Sequence, residues 1–350
     1  MNRRDFLDLR QLASGEPAPP SRADFALVRF RRQAMATQFE IAFPFGTPHA
    51  AEMAHDALDL IDRLEAQLTV YNEHSEISRL NRLAARHPVV VEERLFGLLA
   101  LSQRLQTQTS GAFDITTGAL VKCWGFFRRQ GRVPTEEERA DVRQRVGMNH
   151  VELDAARRSV SFRRPGLEIN LGSIGKGYAL DRVAETLRTK WNLSSALLHG
   201  GHSSVYAIGN EPGGERGWLV GIRHPWQPER RLASIWLRDA GLATSAATFQ
   251  HLEYNGRKLG HILDPRTGWP AEGLASVSVV APTAAEADAL ATAFFILGLE
   301  AARAYVAAHP GIGVILLPTA EASRPVILGF APATVTLEPS PKGTDSLYSP

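Results

Sequence analysis

Apolar residues recur along the first part of the chain at two spacings, one typical of strands and the other of helices. Residues 37–43 (TQFEIAF) alternate apolar and polar positions, which predicts a strand. Two stripes at helical spacing follow, over 53–68 and 95–105, and each predicts a helix that buries one face. The polar stretch YNEHSEISRLN (71–81) separates the two predicted helices.

The second half of the chain is richer in short apolar runs. VELD (151–154) and SVSF (159–162) predict a hairpin. A glycine-rich turn, LGSIGKG (171–177), opens a predicted helix, and another helix is predicted over 285–297. Further strands are predicted at 196–198, 204–208, 218–223, 233–237, 275–280, 313–317 and 325–329. Runs of strands with helices inserted between them favour an α+β fold over a doubly wound parallel sheet.

Composition excludes several classes of protein. The 350 residues carry 39 basic and 37 acidic side chains, with a net charge of +2 and no concentrated basic stretch. Sequence-independent nucleic-acid binding needs clustered Lys and Arg, so no nucleic-acid partner is expected. The single cysteine, Cys123, excludes an internal disulfide and a cysteine-based metal site. No run approaches the roughly 20 apolar residues of a membrane span.

The two ends of the chain differ in composition from the middle. NRRDFL (2–7) resembles the start of a twin-arginine export signal, but the charged and Pro-rich sequence after it lacks the apolar segment of about 7–15 residues that such a signal needs. We therefore expect residues 1–24 to be a flexible tail and the protein to be cytoplasmic. Residues 25–330 are expected to form a single domain, and the Pro/Ser/Thr-rich residues 331–350 a loosely attached tail.

The glycine-rich turn is the first candidate for chemistry. It matches neither a Walker A loop nor the G-x-G-x-x-G of a dinucleotide site. Small residues that lead into a helix N-terminus, together with the ammonium of Lys176, suit a phosphate or pyrophosphate. An ordinary strand–helix turn with a surface lysine is the alternative interpretation.

Two later segments also carry chemical side chains. Asp288 and Thr292 lie four residues apart in EADALATAFF (286–295), so on a helix their oxygens share a face and form part of a possible Mg²⁺ shell. A helix cap would equally explain the aspartate. In HILDPRTGWP (261–270), turn chemistry explains Pro and Gly but not His261, which is either structural or catalytic.

Taken in order, these segments resemble the FAD:protein FMN transferase family, the ApbE-type flavin transferases. The resemblance covers about three quarters of the chain, from Ala34 to Gly298. The segments that carry it are AMATQFEI (34–41), Tyr71 with SEISRLN (75–81), SGAFDIT (110–116) with WGF (124–126), LGSIGKGYALDRV (171–183), HGG (199–201), ATS (243–245), HILDPRTGWP (261–270) and ADALATAFFILG (287–298).

The resemblance implies both a fold and an activity. The fold would be ApbE-like (T-fold-like), with mixed sheets, packed helices and a flavin cleft between two lobes of one domain. The activity would be Mg²⁺-dependent transfer of FMN from FAD to a Ser or Thr hydroxyl of an acceptor protein, with release of AMP. A non-catalytic FAD-binding protein and a Mg²⁺-dependent FAD hydrolase are the alternatives. Neither the acceptor nor the oligomeric state follows from the sequence.

The resemblance also implies roles for individual residues. The positions that line the family's FAD site are Met35, Tyr71, Ala112, Phe113, Asp114, Asn170, Lys176 and Ile262. The magnesium positions are Ser173, through its carbonyl, Asp288 and Thr292. His261 occupies the position of the catalytic base, and Lys176 would stabilise the departing AMP. Tyr71 and Phe113 offer rings that can pack on a flat ligand.

Three positions depart from the family's pattern. Asn170 stands where the family usually has an acid, His202 where it often has Asp, and Ala246 where it usually has Gly. Asn170 can still hydrogen-bond an adenine or ribose but lacks the negative charge. The positions for magnesium, the lysine and the histidine are intact, and their completeness favours the transferase.

Overall fold

The computed structural model describes residues 25–128, 130–246, 251–254, 257–319 and 324–338. The predicted N-terminal tail, residues 1–24, lies outside these ranges, as do residues 339–350 of the predicted C-terminal tail. Among the described helices, none is long and apolar enough to cross a lipid bilayer.

Strands account for most of the regular structure. In chain order they are Leu27–Ala34 (β1), Thr37–Pro44 (β2), Val89–Val90 (β3), Val151–Asp154 (β4), Ser159–Phe162 (β5), Ala196–Gly200 (β6), Ser204–Ile208 (β7), Trp218–Arg223 (β8), Arg231–Leu237 (β9), Ala240–Ala246 (β10), His251–Tyr254 (β11), Arg257–Gly260 (β12), Leu274–Ala281 (β13), Gly313–Pro318 (β14), Val326–Leu328 (β15) and Val335–Leu337 (β16).

Helices connect groups of these strands. They are Ala50–Leu68 (α1), Glu76–Leu83 (α2), Glu93–Gln108 (α3), Gly118–Cys123 (α4), Glu136–Arg143 (α5), Gly175–Trp191 (α6), Ala284–Leu297 (α7) and Leu299–Ala308 (α8), with short 3₁₀ turns at Phe126–Arg128 and Met148–His150.

Within the described ranges, eight strands form the main sheet, in the order β1-β2-β6-β7-β10-β13-β14-β15. Every neighbouring pair in this sheet is antiparallel. The antiparallel pairing confirms the predicted α+β class, because a doubly wound fold would need parallel strands. The described residues also form three smaller sheets, with the strand orders β3-β5-β4, β11-β12 and β16-β9-β8.

The main sheet is buried on both faces. Ile41 of β2 belongs to the larger core, which the sheet shares with α1, α6 and α7. Its neighbour Ala42 belongs to the opposite core, where Trp218 and Ile235 of the β8-β9 pair cover the sheet. Side chains alternate between the two faces because successive strand residues point to opposite sides.

The predicted strands and helices are confirmed at close to their predicted bounds, and the differences concern elements with weak periodicity. The polar stretch after residue 71 contains α2, which Ser75 caps by accepting the N–H of Ser78 at 3.0 Å. β10 was not predicted, since AGLATSA has small residues and almost no alternation, yet it lies centrally between β7 and β13.

The expected loose attachment of the chain from residue 331 onwards is wrong for Val335–Leu337. These residues form β16 and pair with β9, Val335 opposite Ile235. The N–H of Trp236 also donates to the carbonyl of Thr334 at 3.0 Å. A three-residue strand carries too little periodicity to be detected in a Pro- and Ser-rich context.

Candidate active site

Asp288 is a buried carboxylate where α6 and α7 pack together, with 6% of its surface exposed. Its Oδ2 accepts the N–H of Gly177, in the first turn of α6, at 2.7 Å. Its Oδ1 accepts the hydroxyl of Ser204, on β7, at 2.8 Å. The Nζ of Lys176 lies 3.9 Å from Oδ2. A backbone amide, a hydroxyl and an ammonium thus hold this carboxylate in place.

Thr292 follows Asp288 by one turn of α7, on the same side of the helix. Its hydroxyl lies 3.3 Å from the carbonyl of Asp288 and 3.3 Å from the Oγ of Ser245, on β10. The helical spacing of Asp288 and Thr292 predicted that these two share a side of α7, and the structure also brings Lys176 to Asp288.

Ser204 and Ser245 were not assigned roles from the sequence. Ser204 pairs with Ala243 across β7 and β10, and Ser245 lies two residues further along the same strand. Strand periodicity therefore puts both hydroxyls on the face of the sheet that meets α7. The available signal was their position in the HGG and ATS neighbourhoods, which by itself says nothing of the pairing between strands.

Asp181 is a second carboxylate at this contact, half-buried, and no sequence pattern pointed to it. Its two oxygens accept the N–H groups of Ala284 at 2.7 Å and Ala285 at 2.9 Å, the first two residues of α7. Burial, and to a lesser degree the negative charges of Asp288 and Glu286, raise the pKa of Asp181 to about 7 although both hydrogen bonds favour the charged form.

The loop before α6 is closed by short-range hydrogen bonds. Asn170 is half-buried, and its side-chain oxygen accepts the N–H of Gly172 at 2.9 Å. Its backbone N–H donates to the carbonyl of Ile115 at 2.7 Å. Ser173 is half-buried, two residues before the helix begins. The N–H of Gly177 is bonded to Asp288, and those of Ile174 and Gly175 to the carbonyl of Leu171. A phosphate at this helix start would therefore be bound mainly by the ammonium of Lys176.

Tyr71 lines a small pocket at the surface. The side chain is 70% exposed and stacks on Phe127, with ring centroids 4.6 Å apart at an angle of 21°. Both residues line a pocket of about 320 Å³ with Ala36 and Arg128. Met35 lies beside this pocket because it forms, with Ala36, the positive-φ turn between β1 and β2.

The segment Ala112-Phe113-Asp114 is buried rather than lining the pocket with side chains. Phe113 has none of its surface exposed, so the expectation that its ring stacks on a flat ligand is wrong for this structure. Asp114 accepts N–H bonds from Thr116 at 2.7 Å and Met148 at 3.1 Å, and burial raises its pKa. These buried side chains therefore anchor the loop.

His261 stands half-buried directly after β12, beside the buried Ile262. The loop that follows is a tight turn, as predicted, in which the N–H of Gly268 donates to the carbonyl of Asp264 at 2.7 Å. The indole of Trp124 donates to the carbonyl of Gly268 at 2.9 Å and ties the loop to the end of α4. His261 is therefore carried by a well-anchored segment.

His202 and Ala246, two of the three positions that depart from the family's pattern, lie near strand ends. His202 is exposed in the turn between β6 and β7. Ala246 ends β10 opposite Ser276 and has no positive φ, so the strand reaches it without the conformation that favours glycine. Residues 247–250, which follow it, lie outside the described part of the chain.

Proteins of one family resemble this chain over most of its length. The sequence model of the ApbE family matches residues 35–316. The chain is 32% identical over 288 residues to the FAD:protein FMN transferase of Treponema pallidum (strain Nichols), with 78% of each chain covered. It is 29% identical over 290 residues to the FAD:protein FMN transferase of Escherichia coli (strain K12), with 81% of this chain and 82% of that one covered.

Solved structures show the same fold. The crystal structure of the ApbE protein from Thermotoga maritima matches with a TM-score of 0.78 and 28% identity, over 86% of this chain and 96% of that one. The flavin transferase ApbE from Vibrio cholerae matches with a TM-score of 0.75 and 26% identity, over 87% and 98%.

Proposed function

The chain belongs to the ApbE family of FAD:protein FMN transferases, and from this premise we propose how the site works. The enzyme moves FMN from FAD onto a serine or threonine hydroxyl of an acceptor protein, with Mg²⁺ held by Asp288, Thr292 and the carbonyl of Ser173. The observation that carries the proposal is the convergence of Asp288, Lys176 and Thr292 at the α6–α7 contact.

The chemistry of the donors at this contact fits Mg²⁺. Asp288, Thr292 and Ser245 offer hard oxygen atoms, and a carboxylate with two hydrogen-bonded oxygens still has lone pairs free. Among the described residues, no group of three or more His, Cys, Asp or Glu side chains converges to form a protein cage. Mg²⁺ commonly takes one or two carboxylates and completes its shell with water and substrate phosphates. When bound, it would neutralise charge on the pyrophosphate.

Lys176 and the start of α6 supply positive charge from the protein itself. The ammonium lies on the helix end where the dipole is positive, and its side chain is only 23% exposed. A partly desolvated cation interacts more strongly with phosphate than one in bulk water. Lys176 would stabilise the negative charge that gathers on AMP as it departs.

His261 is the base in this proposal. The acceptor's hydroxyl oxygen forms a bond to the phosphorus of the FMN half, and the bond from that phosphorus to the bridging oxygen breaks. AMP leaves with the bridging oxygen and its electron pair, and the imidazole takes the hydroxyl proton. We expect His261→Ala to keep FAD affinity while slowing transfer by about 10²–10⁴-fold, because a base acts in the transition state.

The stacked rings of Tyr71 and Phe127 form the place for a flat part of FAD. Because these rings are already in contact, a third ring must displace Phe127 or use the other face of Tyr71. The Nζ of Lys122 lies 5.2 Å from the Phe127 centroid and 2.6 Å from the carboxylate of Glu168, so an ion pair stands beside the stacked rings.

The test is incubation of the full chain with FAD and candidate acceptor proteins, with and without Mg²⁺. AMP release is measured by chromatography, and attachment of FMN by the intact mass of the acceptor. We expect both only with Mg²⁺, and we expect Asp288→Ala to abolish both. Glu300→Ala, an exposed acid on the neighbouring helix α8, is the control that should behave as wild type.

Other outcomes would assign other functions. AMP release without a change in any acceptor's mass would make the protein an FAD hydrolase. FAD binding with neither product would make it a flavin-binding protein. Turnover in Asp288→Ala with unchanged Mg²⁺ dependence would exclude the proposed metal position.

A further inference from the structure

The N-termini of α6 and α7 are capped by each other's carboxylates. Asp288, on α7, accepts the N–H of Gly177 in the first turn of α6. Asp181, one turn further along α6, accepts the first two N–H groups of α7, those of Ala284 and Ala285. The first amides of a helix have no acceptor within the helix, so each carboxylate accepts hydrogen bonds that the other helix cannot satisfy by itself.

The two helices approach so closely that their backbones fix the spacing. A Cβ added to Gly177 would lie 2.1 Å from the carbonyl oxygen of Ala284. On the other side, a Cβ on Gly241 of β10 would lie 2.4 Å from the Cα of Ala284. The first turn of α7 is therefore held between α6 and the main sheet, and Asp288 is one turn beyond it.

We propose that Asp181 is a positioning residue for Asp288. By holding the amides of Ala284 and Ala285, it sets the start of α7 against α6, and this placement puts Asp288 within reach of Gly177, Ser204 and Lys176. The consequence for metal binding rests on the magnesium site proposed above, whereas the placement of Asp288 does not.

The pattern of hydrogen bonds supports a role beyond ordinary capping. Thr283 already caps α7 from its own chain, accepting the N–H of Glu286 at 3.1 Å. Asp181 instead reaches from another helix, 103 residues earlier in the chain, to the two amides that Thr283 leaves open. A bond between two helices fixes their relative position, which a bond within one helix cannot do.

The test compares Asp181→Asn with Thr283→Ala in the full chain. Asparagine keeps the shape and one acceptor but places an NH₂ group where the second α7 amide needs an acceptor. Thr283→Ala removes a cap from the same turn while leaving Asp181 intact. Amide hydrogen exchange, resolved at single residues, is read at Gly177, whose N–H is bonded to Asp288 and not to Asp181.

We expect Asp181→Asn to speed exchange at Gly177 severalfold, and Thr283→Ala to speed it at Glu286 only. We also expect the affinity for Mn²⁺, used as a paramagnetic substitute for Mg²⁺ and titrated by EPR, to fall about tenfold in Asp181→Asn, as on loss of a group that orients a metal ligand. If Asp181→Asn does not fold, the wild type alone can test the proposal. When the start of α7 and the metal site are coupled, the coupling is reciprocal, so binding of Mn²⁺ should slow exchange at Ala284 and Ala285.

Faster exchange at Ala284 and Ala285 with no change at Gly177 would overturn the proposal and leave Asp181 as a local cap. So would unchanged exchange at Ala284 and Ala285 when Mn²⁺ binds to the wild type. Faster exchange at Gly177 in a protein whose wild type binds no Mn²⁺ would support the positioning role and refute the magnesium assignment.

Discussion

Asn170 shows what one side chain at the loop before α6 contributes. Its side-chain oxygen holds the N–H of Gly172 at 2.9 Å, a bond that an aspartate at this position also makes. A carboxylate adds negative charge toward ribose or adenine donors, and charge-assisted hydrogen bonds are roughly twice as strong as neutral ones.

We therefore expect Asn170→Asp to bind FAD severalfold more tightly, a gain of about 1 kcal/mol, with transfer by both proteins. Fluorescence titration of FAD measures the affinity. Asn192→Asp, which makes the same charge change at the opposite end of α6, should leave FAD affinity unchanged. Activity confined to the Asn170→Asp protein would show that the natural chain only binds flavin.

The titration of Asp181 links one residue to the stability of the whole chain. Its pKa is about 7 in the folded protein, because burial and the charges of Asp288 and Glu286 disfavour ionisation. In the unfolded chain an aspartate titrates near pH 4 (about 3.9). Between these values the folded state binds a proton that the unfolded state does not, so stability falls as pH rises through this window.

The unfolding free energy of the wild type should fall as pH rises from about 4 to about 7, because the unfolded chain releases a proton that folded Asp181 keeps. Asp181→Asn cannot titrate, so its unfolding free energy should lack this contribution to the fall. Urea denaturation at several pH values measures the difference between variant and wild type. Asp141→Asn, on the surface of α5, controls for the loss of an acid elsewhere. A difference that stays constant with pH would contradict the assigned pKa.

At the scale of elements, the site depends on how closely α6 and α7 pack. α7 is buried along most of its length, and an Asp in such a helix is stable only because Gly177, Ser204 and Lys176 surround it. Glycine at 177 is required by the close approach of the Ala284 carbonyl rather than by backbone conformation.

We expect Gly177→Ala to push the two helices apart, to lower the unfolding free energy by about 1–3 kcal/mol, and to raise the Mg²⁺ concentration needed for turnover. Gly97→Ala is the matched control, since Gly97 lies inside α3 with open space around it. It should raise stability by about 0.5–1 kcal/mol, the usual gain of alanine in a helix. Thermal or urea unfolding measures the stability of both variants. Equal stability of the two would show that the contact between α6 and α7 tolerates a methyl group.

At the scale of the whole molecule, the second core depends on a strand near the end of the described chain. β16 pairs with β9, and Val335 packs against the core that covers the far face of the main sheet. Without it, β9 would expose a row of unpaired backbone groups at the edge of its sheet.

We expect a chain that ends at residue 330 to be less stable than one that ends at residue 338, by on the order of 1–3 kcal/mol. Both chains lack residues 339–350, so the difference belongs to residues 331–338 alone. Urea denaturation measures it, and flavin transfer by both chains serves as a check on the site. Equal unfolding free energies would mean that the pairing of β16 with β9 does not stabilise the fold.

Much of the molecule was determined by the sequence alone, because its signals are local. The 3.6-residue stripe of α1 and the alternation of β2 follow from burial of one face, and each is visible within a few turns or residues. The spacing of Asp288 and Thr292 likewise settles that they share a side of α7, and the ordered motifs identified the family.

Only the tertiary structure decided which distant residues meet. Ser204 reaches Asp288 across 84 positions of sequence, and Asp181 reaches Ala284 across 103. Burial of Phe113 and the central place of β10 likewise depend on neighbours from other parts of the chain. Such contacts leave no periodic trace, because a residue's own neighbourhood in sequence does not record what the fold packs against it.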